Sequence, residues 1–347
     1  MRFIEAVRPR AADGLVANVY DEVRRDFALL RDPAGNSPFM VHSACPELLA
    51  GVWSVLYETV LVPGAVPRAD KEAIAAAVSR ANDCPFCVEA HAVLSEVAGA
   101  RGERGALIGG ATERIGDERR RELVAWAAAT REPGSERLRR PPFGPLEAPE
   151  VIGTALVFHY VNRMVEVFQG HGPISVGPGP LRGAGIVLMG QLARRAVRRE
   201  RAPGRSLQLL PDAELPDDLR WASPSPAIAS ALARFVAAVQ RGAQGALSPS
   251  ERERVCSVLA DWDGADPPLH GDWLERAAHG LEPGSQAPAR LALLTALAPY
   301  RVDHAAVEAF RLVRGGDRQL VGAAAWSALA AARRIASWLA PHSLAAR

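Results

Sequence analysis

Glu72, Cys84, Cys87 and His91 lie within twenty positions of one another and carry groups suited to redox and proton-transfer chemistry, in the spacing Glu-x11-Cys-x2-Cys-x3-His. Two thiols three residues apart at the start of a helix can close a reversible disulfide. A thiol there also feels the positive end of the helix macrodipole, which favours its thiolate. His91 is four residues beyond Cys87, one turn along the same face, and can exchange a proton with that sulfur. At ~100° per residue the two cysteines and the histidine share an arc of about 60°. Phe86, Ala90, Val93 and Val97 occupy a second face, roughly 120° away, which is expected to pack on the core.

The elements that must position these groups are two helices and a break. Asn82-Asp83 reads as a turn, with Asp83 the expected N-cap of the second helix and Pro85 in its first turn. Glu72 sits on the preceding helix. If that helix folds back at the turn, Glu72 lies about 15 Å from it and His91 about 10 Å, at ~1.5 Å per residue. Glu72 can then reach His91 directly or through a water, orient it, and help move the proton that Cys87 loses.

Helical periodicity extends along most of the chain. Leu15, Val19, Val23 and Phe27 recur at four-residue steps. Further helices are expected near 47–61, 69–81, 84–99, 116–130, 149–169, 184–199, 224–242, 249–262, 287–300, 303–313 and 317–339. No run alternates as a strand would, so the expected fold is all-α. Breaks fall at proline- and glycine-rich stretches such as "LVPGAVPRAD" and "REPGSERLRRPPFGP". The expected organisation is a helical domain over 1–200 with the CxxC motif, a linker over 201–220, and a second helical half over 221–347. When 72–91 is set over 291–310 without gaps, Ala73, Ala77, Val88, Glu89 and Ala90 meet identical partners. Glu72, Cys84, Cys87 and His91 fall opposite Leu291, Asp303, Ala306 and Phe310. The second half would then be a relative of the first that has lost all four reactive groups and kept the scaffold.

Composition narrows the function classes. The 347 residues are 48% hydrophobic and 23% charged, with a net charge of +2, as expected of an ordinary globular chain of about two domains. That balance gives no reason to expect nucleic acid or a membrane surface as a partner. The basic run Arg194–Arg201 reads as a solvated helix end. Lys71 is the only lysine among the basic residues. The start lacks the apolar core of a signal peptide, and no run reaches the ~20 apolar residues of a membrane span. A cytoplasmic location is expected, where a CxxC is catalytic or metal-binding more often than a lasting disulfide. Zinc would want a further ligand pair, and no second CxxC or HxxxH exists. A thioredoxin-like site would stand in a βαβ setting, which this helical text does not offer. An inert structural pair stays open.

The motif Glu72-x11-Cys84-x2-Cys87-x3-His91 resembles the signature of the alkyl hydroperoxidase D family, within the carboxymuconolactone decarboxylase-like superfamily. The flanking stretches "HSACPELLAGVWSVLYE" and "FGPLEAPEVIGTALVFHYVNRMVEVF" are similar to those of its larger members. The resemblance covers roughly 15–200. It implies a helical bundle that assembles as a homo-oligomer and reduces peroxides. Carried over by motif position, Cys87 would be the peroxide-attacking thiolate and Cys84 the thiol that resolves the sulfenic acid as a disulfide. Glu72 and His91 would form the proton relay. No bound cofactor or metal is implied. The reductant would be an external dithiol, such as a lipoyl group on an adaptor protein. The long C-terminal extension departs from the family pattern. Two other readings stay open: a carboxymuconolactone decarboxylase-type lyase, whose chemistry does not use the dithiol, and a non-enzymatic dithiol sensor or scaffold.

Outside the motif, His159 and Tyr160 are candidates to line a pocket or to be satisfied core residues. His42 reads as a loop or cap residue and His171 as part of a turn. Cys45 and Cys256 read as small buried apolar residues.

Overall fold

The run Pro46–Leu61 is apolar nearly all round, and a helix of that kind has to be enclosed on every side. In the computed structural model, which describes residues 1–27, 37–170, 199–270 and 272–340 together with Arg194 and Val197, this run lies at the centre. The helices are, in order, α1 (Gly14–Asp26), α2 (Pro46–Leu56), α3 (Arg68–Ala81), α4 (Pro85–Ala98), α5 (Arg104–Gly109), α6 (Glu118–Ala128), α7 (Glu136–Arg139), α8 (Ala148–Phe168), α9 (Pro226–Gly242), α10 (Pro249–Ala260), α11 (Trp273–Ala278), α12 (Pro283–Leu297), α13 (His304–Arg314) and α14 (Asp317–Leu339). The fold is all-α, and no strand occurs among the described residues. Of the helix expected over 184–199, only Arg194, Val197 and Arg199 are among the described residues, and His171 lies outside them. α12 begins a turn earlier than expected: Pro283 opens it, and Pro288 is accommodated within it. Among the described residues no helix is long and apolar enough to cross a membrane.

Helices before and after residue 220 pack on one another. α2 follows a 3-10 turn (Pro38–His42), and α9 likewise follows one (Asp217–Ala222). α2 lies against α9, and α8 against α14. Gly51 of α2 allows the close approach, since a Cβ there would stand 3.0 Å from the Phe235 ring of α9. α12 and α13 pack on each other over the residues set opposite α3–α4 in the sequence. Asp303 caps α13 by accepting the Ala306 N–H at 2.9 Å, at the position matching Cys84, the N-cap of α4. Leu291 and Phe310, at the places of Glu72 and His91, are fully buried. Leu293, Leu297 and Val307 are buried with them in the shared core.

The stretch 201–220 is tied to the first half. Gly204 N–H and Ser206 Oγ donate to the Glu58 carboxylate at 3.0 and 2.7 Å. Arg201 and Arg205 both pair with the buried Asp26. Lys71 is also enclosed: its Nζ donates to Glu150 and to the Val62 carbonyl, each at 2.8 Å. Glu150 accepts the Ala65 N–H at 2.7 Å as well, so the start of α8 is fastened to the loop before α3.

Candidate active site

The turn between α3 and α4 sets the sulfurs. Asp83 has a φ of +52°, a left-handed conformation that Asp tolerates better than most side chains. Cys84 N–H reaches back to the Ser79 carbonyl at 2.9 Å, and Asp83 N–H to that of Arg80 at 3.0 Å. This is a Schellman ending with Asp83 in the place usually held by glycine. Asp83 therefore closes α3, and the N-cap position of α4 belongs to Cys84. Both faces of α4 are buried in part: Ala90 and Val93 pack as expected, but the reactive face lies deeper. Cys84, Cys87 and His91 are 1%, 2% and 5% exposed and face inward, whereas Phe86 and Val97 are only half-buried. α4 is apolar enough on both sides for the choice to rest with α3, whose buried Glu72 has to meet a partner.

That partner is His91. Its Nδ1 lies 2.5 Å from Glu72 Oε2, a direct contact across the hairpin. The other carboxylate oxygen is held by Arg68, whose Nε donates at 2.7 Å and Nη2 at 2.5 Å. Burial by itself would raise the Glu72 carboxyl. The Arg68 charge is the largest opposing influence, His91 the next, and the carboxyl is held at about 2. Glu72 is thus an anion with both oxygens engaged. It fixes His91 with the Nδ1–H toward the carboxylate and leaves Nε2 as the nitrogen able to exchange a proton. The His91 ring stands edge-on to Phe158, with centroids 4.3 Å apart.

The two motif thiols are not joined in a disulfide and adjoin each other. The Cys87 thiol beside it, then burial, pushes the Cys84 thiol well above its ordinary range, and the Glu166 carboxylate adds to the effect. Cys84 is the sulfur held protonated. Among the described residues no direct hydrogen bond joins His91 to either sulfur. Nor does any group of three or more His, Cys, Asp or Glu side chains among them converge as metal ligands would.

Arg68 escaped the sequence reading. It precedes Glu72 by four residues, the spacing of a helical ion pair, but lies one residue before the expected start of α3. A second polar network adjoins the turn. Thr130 donates its hydroxyl proton to the Ala127 carbonyl, so Thr130 Oγ1 accepts from His159 Nε2 at 2.9 Å. His159 Nδ1 is then bare and accepts from Asn82 Nδ2 at 3.0 Å, whose other proton goes to Asn162 Oδ1 at 2.9 Å. Burial holds His159 well below its ordinary value, in keeping with a neutral, satisfied core ring. Tyr160 is enclosed too, with His42 Nε2 2.8 Å from its hydroxyl. Cys45 is buried and pushed up to about 11 by desolvation. Cys256 differs from expectation: it is exposed on α10.

The profile of the Carboxymuconolactone decarboxylase family matches residues 46–129, which span α2 through α6 and contain all four motif residues. The chain is 40% identical over 339 residues to the alkyl hydroperoxide reductase Rv2159c of Mycobacterium tuberculosis, covering 97% of this chain and 94% of that protein.

Proposed function

Because the chain belongs to the alkyl hydroperoxidase D-like group of the carboxymuconolactone decarboxylase family, we propose that it reduces hydroperoxides through a Cys84–Cys87 dithiol–disulfide cycle. The observation that carries this reading is the buried thiol pair on the hairpin that also holds the direct His91–Glu72 contact. By motif position Cys87 is the attacking thiol, and the raised Cys84 thiol suits the resolving role. The Cys87 thiolate attacks the distal peroxide oxygen: an S–O bond forms as the O–O bond breaks, a sulfenic acid results, and the displaced alkoxide takes a proton and leaves as the alcohol. His91 Nε2 is placed to pass that proton, by way of a water or the substrate itself. Cys84 then attacks the sulfenic sulfur, the disulfide closes and water leaves.

An external dithiol returns the two electrons and two protons. Both sulfurs are recessed, and a lipoyl group on a flexible arm reaches a recessed disulfide more readily than a folded protein face does. The test is hydroperoxide consumption with dithiothreitol or dihydrolipoamide as donor. Wild type should turn over and Cys87→Ser should be inactive. Turnover that survives Cys87→Ser would sink the cycle. Decarboxylation of a muconolactone that persists without either cysteine would favour the lyase reading instead.

A further inference from the structure

Two threads run from the second half to the residues just before the redox turn. Both pass through Thr130 and Arg131, which follow α6. The Arg131 guanidinium donates from Nη1 to the Ala81 carbonyl, at the end of α3, at 3.1 Å. From Nε and Nη2 it donates to the Gly264 carbonyl at 3.0 and 2.7 Å, and Nη2 also reaches Asp266 at 2.6 Å. Gly264 has a φ of +91°, and a side chain there would collide with the Arg131 carbonyl, so the loop 262–266 is seated against this residue closely. The second thread starts at Trp338 on α14, whose Nε1–H donates to the Thr130 carbonyl at 2.8 Å. Thr130 holds His159, and His159 holds Asn82. The threads end on adjacent residues, Ala81 and Asn82, two positions and one position before the left-handed Asp83.

We propose that Arg131 is a positioning residue through which the second half sets the redox balance of the Cys84–Cys87 pair. The inference rests on the dithiol cycle proposed above. A planar fork that caps a helix carbonyl with one arm and grips a distant loop with the others holds the backbone in one place, as a flexible ammonium would not. The stability of a disulfide over its dithiol rises with how closely the fold holds the two sulfurs together, an effective-concentration argument. Loosening Ala81 and Asn82 frees the turn and lowers that concentration. The disulfide then becomes easier to reduce.

The readout is the equilibrium of the full-length protein with dithiothreitol: disulfide plus reduced reagent gives dithiol plus cyclised reagent, two electrons and two protons transferred. Arg131→Met should move the equilibrium constant about tenfold toward the dithiol, which is about 30 mV for a two-electron couple. Arg131→Lys should recover part of the shift. Trp338→Phe keeps the ring and loses only the N–H bond, so it serves if the arginine variant does not fold; about threefold in the same direction is expected. Leu312→Ala, on the exposed face of α13, should leave the constant unchanged. Folded Arg131 and Trp338 variants with wild-type constants would overturn the inference, as would an equal shift in Leu312→Ala. A wild type that forms no Cys84–Cys87 disulfide would remove the proposed cycle and this inference together; an unresponsive couple removes only the inference.

Discussion

Replacing Arg68 by Met tests what keeps Glu72 ionised. A carboxyl held at about 2 against an ordinary 4.5 has its charged form favoured by about 3 kcal/mol, at about 1.36 kcal/mol per pKa unit. Glu72 is fully buried, so the variant keeps a buried carboxylate without its largest counter-charge. Removing one member of a buried pair typically destabilises by about 3–5 kcal/mol. The folded pKa is depressed, so the stabilisation is complete above 4.5 and is lost as the pH falls through 2. Urea unfolding should therefore show the gap between wild type and Arg68→Met widest at neutral pH. The gap should narrow as the pH falls toward 2, because the variant's carboxyl takes up a proton sooner. The double variant Arg68→Met/Glu72→Met leaves no buried carboxylate and should regain much of the lost stability, though not peroxide turnover. A folded Arg68→Met within about 0.5 kcal/mol of wild type at pH 7, the usual range of surface substitutions, would refute the electrostatic reasoning.

Two further outcomes follow from the same geometry. In a Cys256→Ser background, limiting iodoacetamide at pH 7 should mark Cys87 before Cys84, since Cys84 is held as the thiol; peptide mass spectrometry showing Cys84 marked first would reverse the assigned roles. A chain ending at residue 205 keeps the four motif residues but uncovers the faces of α2 and α8 that pack on α9 and α14, so light scattering should detect aggregation or a changed assembly, and a soluble, fully active fragment would show the second half dispensable.

The hairpin was legible in the sequence because its two constraints are local. A break at Asn82-Asp83 and the rise of a helix suffice to bring Glu72 to His91. The depth of the sulfur face was not legible, because α4 carries apolar residues on both flanks and periodicity alone does not rank them. Asp83 misled for a related reason: Asp suits a helix start, and the left-handed end it serves here is decided by the backbone of the preceding helix. Arg131 stood inside "REPGSERLRR", text that reads as a break. Its partners, Gly264 and Asp266, are more than 130 residues away, and no spacing rule reaches that far.

Lys71 carries the only side-chain amine of the chain, and it is enclosed between Glu150 and the Val62 carbonyl. Positive charge at the surface is guanidinium, which amine-directed reagents spare. A lysine-specific endoproteinase therefore has one bond to cut, Lys71–Glu72, and that bond is hidden while the first half stays folded. The rate of that single cut, followed on a gel, becomes a clock for the opening of α3. The cleavage also parts Arg68 from Glu72, so each molecule that registers on the clock has lost the covalent link between the carboxylate and its clamp.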